Sequence, residues 1–381
     1  MSTETALEKP SFLSGLLREW LLGVAIATTV LFLAFGKQWL ADLSNPWWFA
    51  LMLIWLFAVV LSSAFAVVHH AEVLAGRLGE PLGTLVLTLS VIGIEVTMIS
   101  AVMLTGEGKP ELARDAMLAV TMIVMNGMIG LALLFGGLRH HEQEYNLQGA
   151  NSFLSLIVPL TVLGLVLPNF TVTSPGPTFS VVQSAFLAIM SIAIYGLFLI
   201  IQNWRHREYF VRPAPAQGEV QGGAHPEHGS PYSSAFHAVL LLLYLLAIVV
   251  LAEEIAIPID HGIEVLHAPV ALGGFLVAVL VLSPESLTAT RAALANDLQR
   301  SINVLLGSVL ASIALTIPAV LTIGLVTGKT VVLGLDDANS LLLVLTLFVS
   351  ALTFARNRTN VLMGAVHILL FLAYVMLIFE H

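Results

Sequence analysis

Apolar runs of about 18–24 residues, the length a membrane-crossing helix needs, recur eleven times along the chain, parted by short polar breaks. They fall near 18–36, 47–68, 82–104, 116–138, 152–172, 178–202, 236–259, 268–290, 301–326, 338–355 and 360–379. At 1.5 Å per residue such a helix crosses a hydrocarbon core of ~30 Å. The pattern predicts an all-α integral membrane protein with about eleven transmembrane helices. The longest polar stretch, Asn203–Ser234, is rich in Pro, Gly and His and reads as a linker dividing six spans from five. The expected organisation is an N-terminal tail and extra helix (1–46), a first five-helix repeat (47–202), a linker (203–235) and a second five-helix repeat (236–381).

Two of the spans share a pattern. Leu82–Glu95 reads LGTLVLTLSVIGIE and Leu272–Glu285 reads LGGFLVAVLVLSPE, with the Leu-Gly pair at the same distance from the glutamate. Glu95 is the single ionisable residue of the run Leu82–Leu104. A carboxylate at that depth costs at least ~2.5–3.5 kcal/mol, so it marks a functional site. The likeness continues: Asp115 precedes Asn126 and Gly130 at the spacing at which Asp297 precedes Ser308 and Ser312. Gly93 and Pro284 stand beside the two acids. Both helices are expected to unwind there and free carbonyls for a cation, the more so as the apolar part of the second, Ala268–Leu282, is too short to span alone.

Charge sets the direction of the spans. Eleven Lys and Arg fall on the N-terminal side, against four (Lys37, Lys109, Arg114 and Lys329) on the other. The positive-inside rule then places the N-terminus in the cytoplasm and, with an odd span count, the C-terminus outside. The Glu95 and Glu285 spans run in opposite directions, as inverted repeats do. Composition agrees: 58% of residues are hydrophobic and 10% charged, against about 25% charged in soluble domains. The net charge of −9 offers no basic face to nucleic acid, and the absence of cysteine excludes disulfides and thiol chemistry. The apolar first span carries no small-residue cleavage site and reads as an uncleaved helix.

These residues resemble the cation/proton exchanger family of the calcium/cation antiporter superfamily, specifically the bacterial ChaA-type calcium/proton antiporters. That family carries a Gly-Asn-Ala-x-Glu core in each repeat. Here the two copies are Ile92-Gly93-Ile94-Glu95 and Leu282-Ser283-Pro284-Glu285: the glutamates match and the Gly-Asn-Ala does not. Gly136–Asn146, GGLRHHEQEYN, is similar to the signature after the family's third core helix. Asn357–Gly364, Ala252-Glu253-Glu254 and His70–Gly83 resemble other family segments, so that the likeness covers about Val67 to Phe379. It implies ten core helices in two inverted repeats of five plus one N-terminal helix, exchange without ATP, and a bacterial inner membrane.

Calcium takes about 6–8 oxygen ligands. Glu95 and Glu285 would supply up to four; Asn126, Ser308, Ser312 and carbonyls near Gly93 and Ser283 are further candidates. Without a cation, two facing carboxylates in a low dielectric take up protons instead, so Ca²⁺ and H⁺ compete for the same oxygens. Glu253, Glu254 and Glu72 are candidates for proton access or gating, against the plainer reading of interfacial polar groups. No cofactor is expected; the partners are the bilayer and inorganic cations, with a homo-oligomer open. His69-His70 with Glu72 reads as an interfacial cluster rather than a metal box, and His225 and His228 as solvated. Gly324–Thr330, GLVTGKT, is one residue short of a phosphate-binding loop. Trp47-Trp48 reads as an interfacial anchor. A Na⁺ or K⁺/H⁺ antiporter of the same fold is the alternative. An intramembrane hydrolase or a sensor lacks any catalytic signature or output domain.

Overall fold

The computed structural model describes residues 19–79, 82–105, 110–211 and 232–380. His225, His228 and most of the linker, with Lys9, Arg18, Lys109 and Arg212, lie outside the described residues. Eleven long helices run through the described residues: α1 Trp20–Trp39, α2 Pro46–Leu78, α3 Leu82–Thr105, α4 Leu112–His140, α5 Leu147–Leu165, α6 Val181–Arg205, α7 Ser234–Val265, α8 Ala271–Leu294, α9 Leu298–Thr327, α10 Asp337–Thr353 and α11 Val361–Glu380. Nine of these are long and apolar enough on their own to cross a membrane. In α3 and α10 the apolar part is shorter, Leu85–Ala101 and Asp337–Thr353.

Short-range chemistry sets the helix ends. Asn45, Asn146, Ser180, Ser233, Asp297 and Asp336 each accept a backbone N–H in the first turn of the following helix. Ser180 and Gln183 complete a capping box. Gly328, at φ 69°, closes α9 in the left-handed conformation that glycine tolerates. Gly324–Thr330 is therefore a helix C-terminus. It presents carbonyls where a phosphate cradle needs N–H groups.

Successive helices alternate in direction, and the loops interlock by face. At the face where α1 begins, Gln143–Glu144 pairs antiparallel with Arg358–Thr359. Gln143 Nε2 donates to the Ala293 carbonyl at the end of α8 (2.8 Å). Tyr145, whose phenol burial holds protonated beyond the ordinary tyrosine range, donates to the Arg356 carbonyl. At the opposite face Lys329 Nζ donates to the Met103 carbonyl (2.9 Å) and Trp48 Nε1 to the Trp39 carbonyl (2.8 Å). The GGLRHHEQEYN stretch thus belongs to a clamp between the α4–α5 and α10–α11 loops.

Two large hydrophobic cores form, with a small third cluster of Ile99, Met103, Ala113, Ala116 and Val320. One gathers α1, α2 and α7; the other gathers α4, α5, α6, α9, α10 and α11. The glutamate-bearing helices lie on the seam. α3 gives Ile94 and Met98 to the first core and Ile92 to the second; α8 gives Leu280 and Val281 to the first and Leu282 to the second. Small residues permit close crossings: a β-carbon at Gly274 of α8 would stand 2.8 Å from the Ala116 nitrogen of α4.

The structure corrects one expectation. Both α3 and α8 are continuous through the acids, with Pro284 inside α8. The apolar window ends at Leu282, but the helix runs on through 283–290, whose polar side chains are half-buried. Pro284 removes one N–H without breaking the helix, leaving the Leu280 carbonyl without its usual donor.

Candidate functional site

α9 organises the site. Ser308, Ser312 and Thr316 recur every fourth residue and so stand on one face, successive hydroxyls about 6 Å apart along the axis. Ser308 donates to Glu285 Oε2 and Ser312 to Glu95 Oε1. Thr316 donates to the same Glu95 oxygen at 3.0 Å. One helix therefore serves both carboxylates, which lie within electrostatic range of each other. Among the described residues no Lys, Arg or His is within ion-pair distance of either acid.

Accessibility is graded along this ladder. Glu95, Ser312 and Thr316 are at most 2% exposed, whereas Glu285 and Ser308 are partly accessible. The accessible members lie toward the face where α8 ends and α9 begins. Ser283, Ser286 and Thr288 continue the half-buried polar surface along α8. On α3, Gly93 is half-buried and nothing stands within 4 Å of where its β-carbon would be. The absence of a side chain there leaves room beside the acids.

The remaining candidates are placed as follows. Ser283 Oγ donates to the Val279 carbonyl of its own helix (2.5 Å). Asn126 does not reach either glutamate. It sits in a six-residue π-helical segment of α4, Ile123–Met128, where its Nδ2 donates to Thr346 Oγ1 (2.8 Å) and its Oδ1 faces His367 Nδ1 (3.2 Å). Because the amide oxygen accepts, His367 carries its proton on Nδ1, and Nε2 accepts from the Thr353 hydroxyl (3.0 Å). Asn126, Thr346 and His367 are fully buried. The repeat equivalence of Asn126 and Ser308 thus breaks because α10 and α11 offer the longer amide its own partners. Glu254 packs against Gly36 of α1, within electrostatic range of Lys37, and Glu253 is exposed beside it. Both stand apart from the ladder. Glu72 is half-buried in the last two turns of α2, on the face where α1 begins. Thr316 is the site residue that sequence reasoning missed; its only signal was the four-residue spacing from Ser312.

Comparison with known proteins follows the same lines. The chain matches the family described as sodium/calcium exchanger protein over residues 48–204 and 236–380. It is 41% identical over 314 residues to the sodium-potassium/proton antiporter ChaA of Escherichia coli, covering 82% of this chain and 84% of that protein. The structure of native YfkE superposes with a TM-score of 0.70 at 16% identity, covering 95% of this chain and all of that one. The H⁺/Ca²⁺ exchanger CAX superposes with a TM-score of 0.63 at 16% identity, over 92% of this chain and 88% of that one. Those two likenesses concern the fold. Matched by that family's model over most of its length, the chain belongs to the sodium/calcium exchanger protein family: it is an integral membrane cation transporter, not an enzyme, and its ions are cargo rather than resident cofactors.

Proposed function

We propose that this protein exchanges Ca²⁺ for H⁺ by alternating access at a site built on Glu95 and Glu285. The observation that carries the reading is the convergence of both acids on the Ser308–Ser312–Thr316 face of α9, with no basic counter-charge among the described residues. Two carboxylates without a cationic partner in a low dielectric need neutralising. One divalent cation does this, and so do two protons. The two cargoes then compete for the same oxygens, and only a neutralised site is cheap to carry across. Ser308, Ser312 and Thr316 hold the carboxylates in place, and their oxygens count toward the six to eight that Ca²⁺ takes. The graded accessibility supports entry from the face where α8 ends. The excess of basic residues supports assigning that face to the cytoplasm of a bacterial inner membrane, with the C-terminus outside.

A second reading, Na⁺ or K⁺ exchanged for H⁺, is favoured by one observation. Among the described residues the glutamates are hydrogen-bonded by hydroxyls, and the candidate amide, Asn126, is engaged elsewhere. The name of the Escherichia coli relative points the same way.

Proton flux in vesicles reconstituted with the purified protein, with Ca²⁺, Na⁺ and K⁺ offered separately, decides between them. Glu95→Gln and Glu285→Gln each keep volume and one carbonyl oxygen but lose the charge and the titrating proton. Each is expected to abolish coupled exchange in a protein that still folds, because a neutral amide is cheaper than a carboxylate in the membrane. Exchange at the wild-type rate in either variant would remove that glutamate from the coupling site. In the wild type, the cation concentration for half-maximal exchange rises as pH falls, because protons then hold the oxygens.

A further inference from the structure

A second titratable cluster lies away from the glutamates, where α2 ends and α7 begins. His70 and His237 are 1% and 2% exposed, and their Nδ1 atoms are 2.9 Å apart. At that distance one Nδ1 carries a hydrogen and the other accepts it, so the two rings take opposite tautomers. The pair ties together the first helices of the two repeats, 167 residues apart in sequence. These helices pack along each other in the core that α3 and α8 border. Among the described residues, charged and titratable groups beside the pair come from α2, α7 and the segment before α1. From α2, His69 has its ring 5.3 Å from that of His70, and Arg77 lies within electrostatic range of His237 and donates to Ser234 Oγ at 3.5 Å. From α7, Tyr244 stacks on His70 at 5.9 Å. From the segment before α1, Glu19 places a carboxylate oxygen 3.9 Å from His70 Nε2 and accepts from the Tyr244 hydroxyl at 3.3 Å.

We propose that the His70–His237 pair is a regulatory proton-binding site, separate from the transport site, that ties α2 to α7 when neutral and releases them when acid protonates both rings. One N–H···N bond needs one free lone pair. With both rings protonated, two N–H groups face each other and two positive charges lie within range of Arg77, while a Glu19 oxygen stands 3.9 Å from His70 Nε2. The tie then becomes a repulsion at one face of the bundle. Its effect on exchange rests on the antiport reading above; its effect on stability does not. An unfolded chain exposes both rings to water, where they take protons near the ordinary histidine range of about 6.5. The tied pair binds its second proton only by giving up the N–H···N bond. Folded-state stability conferred by the tie is therefore full above that range and falls away progressively as pH drops below it.

The test is His237→Asn, whose amide stands where Nδ1 stood and hydrogen-bonds without titrating. Purified full-length wild type and variant are compared in two measurements between about pH 5 and 8, the interval in which histidine switches. In detergent, the wild-type melting temperature is expected to fall toward pH 5, and that of His237→Asn to fall less. In vesicles, the acid limb of exchange, with pH varied on the side of the α1 face, is expected to move down by about one pH unit in the variant. The rate at pH 8 stays within about twofold. His237→Ala, which removes the tie at every pH, is expected to lower the melting temperature at pH 8 toward the wild-type value at pH 5. Superimposable melting profiles for wild type and His237→Asn would overturn the proposal, whatever ions the protein carries. So would a variant uniformly slower at all pH, which marks the pair as packing alone. A shifted melting profile with an unshifted exchange profile would confine the pair to stability and overturn its regulatory role.

Discussion

At the scale of single residues, the hydroxyls of α9 do more than pack. Ser308 is the hydroxyl partner of Glu285 among the described residues, whereas Glu95 has two, Ser312 and Thr316, on one oxygen. A hydrogen bond to a charged group contributes about 1.5–3 kcal/mol, and tenfold in affinity corresponds to about 1.4 kcal/mol. Ser308→Ala is therefore expected to raise the cation concentration for half-maximal exchange about tenfold or more. Thr316→Val, with Ser312 left in place, is expected to raise it less. Flux assays over a cation titration measure both. Thr316 was hard to read in the sequence because a threonine in an apolar helix usually bonds its own backbone; only its register with Ser308 and Ser312 betrays it. The glutamates were legible for the opposite reason, since a charge within a membrane helix needs a purpose.

At the scale of elements, hydropathy marked every helix, because the bilayer fixes its length. It could not say how a helix behaves at a proline, nor which of several neighbours a polar side chain would choose. The unbroken α8 shows the first point. Asn126 shows the second: its partners, Thr346 and His367, lie 220 and 241 residues away and share no pattern with it. The amide joins the π-helical segment of α4 to α10 and α11 and so staples them together. Asn126→Leu breaks two interhelical hydrogen bonds and strands the His367 N–H. The expected loss is about 1–3 kcal/mol of stability, read from denaturant unfolding in detergent. Cation affinity is expected to stay within about twofold of wild type; a larger change would return Asn126 to the ligand set.

At the scale of the molecule, the membrane-spanning all-α class could be read from hydropathy, because the bilayer demands long apolar helices. What the sequence left dark was the seam between two cores, since packing partners are not written in hydropathy. The absence of native cysteine makes sidedness directly testable. Glu144 and Thr330 are exposed on loops at opposite faces. Glu144→Cys is expected to react with a membrane-impermeant maleimide only after cells are opened. Thr330→Cys is expected to react in intact cells. The reverse pattern would invert the orientation.

The ladder on α9 has a mechanical side. A rigid helix cannot shift one rung without shifting the rest, so the two acids share a single rail. Sliding that rail by four residues' rise, about 6 Å, would carry Ser312 to the level Ser308 now holds. The two carboxylates are thus not held by two independent springs but are two loads hung on one beam. A strain imposed at Glu285, the more accessible end, reaches the sealed end at Glu95 through about 6 Å of hydrogen-bonded backbone rather than through solvent.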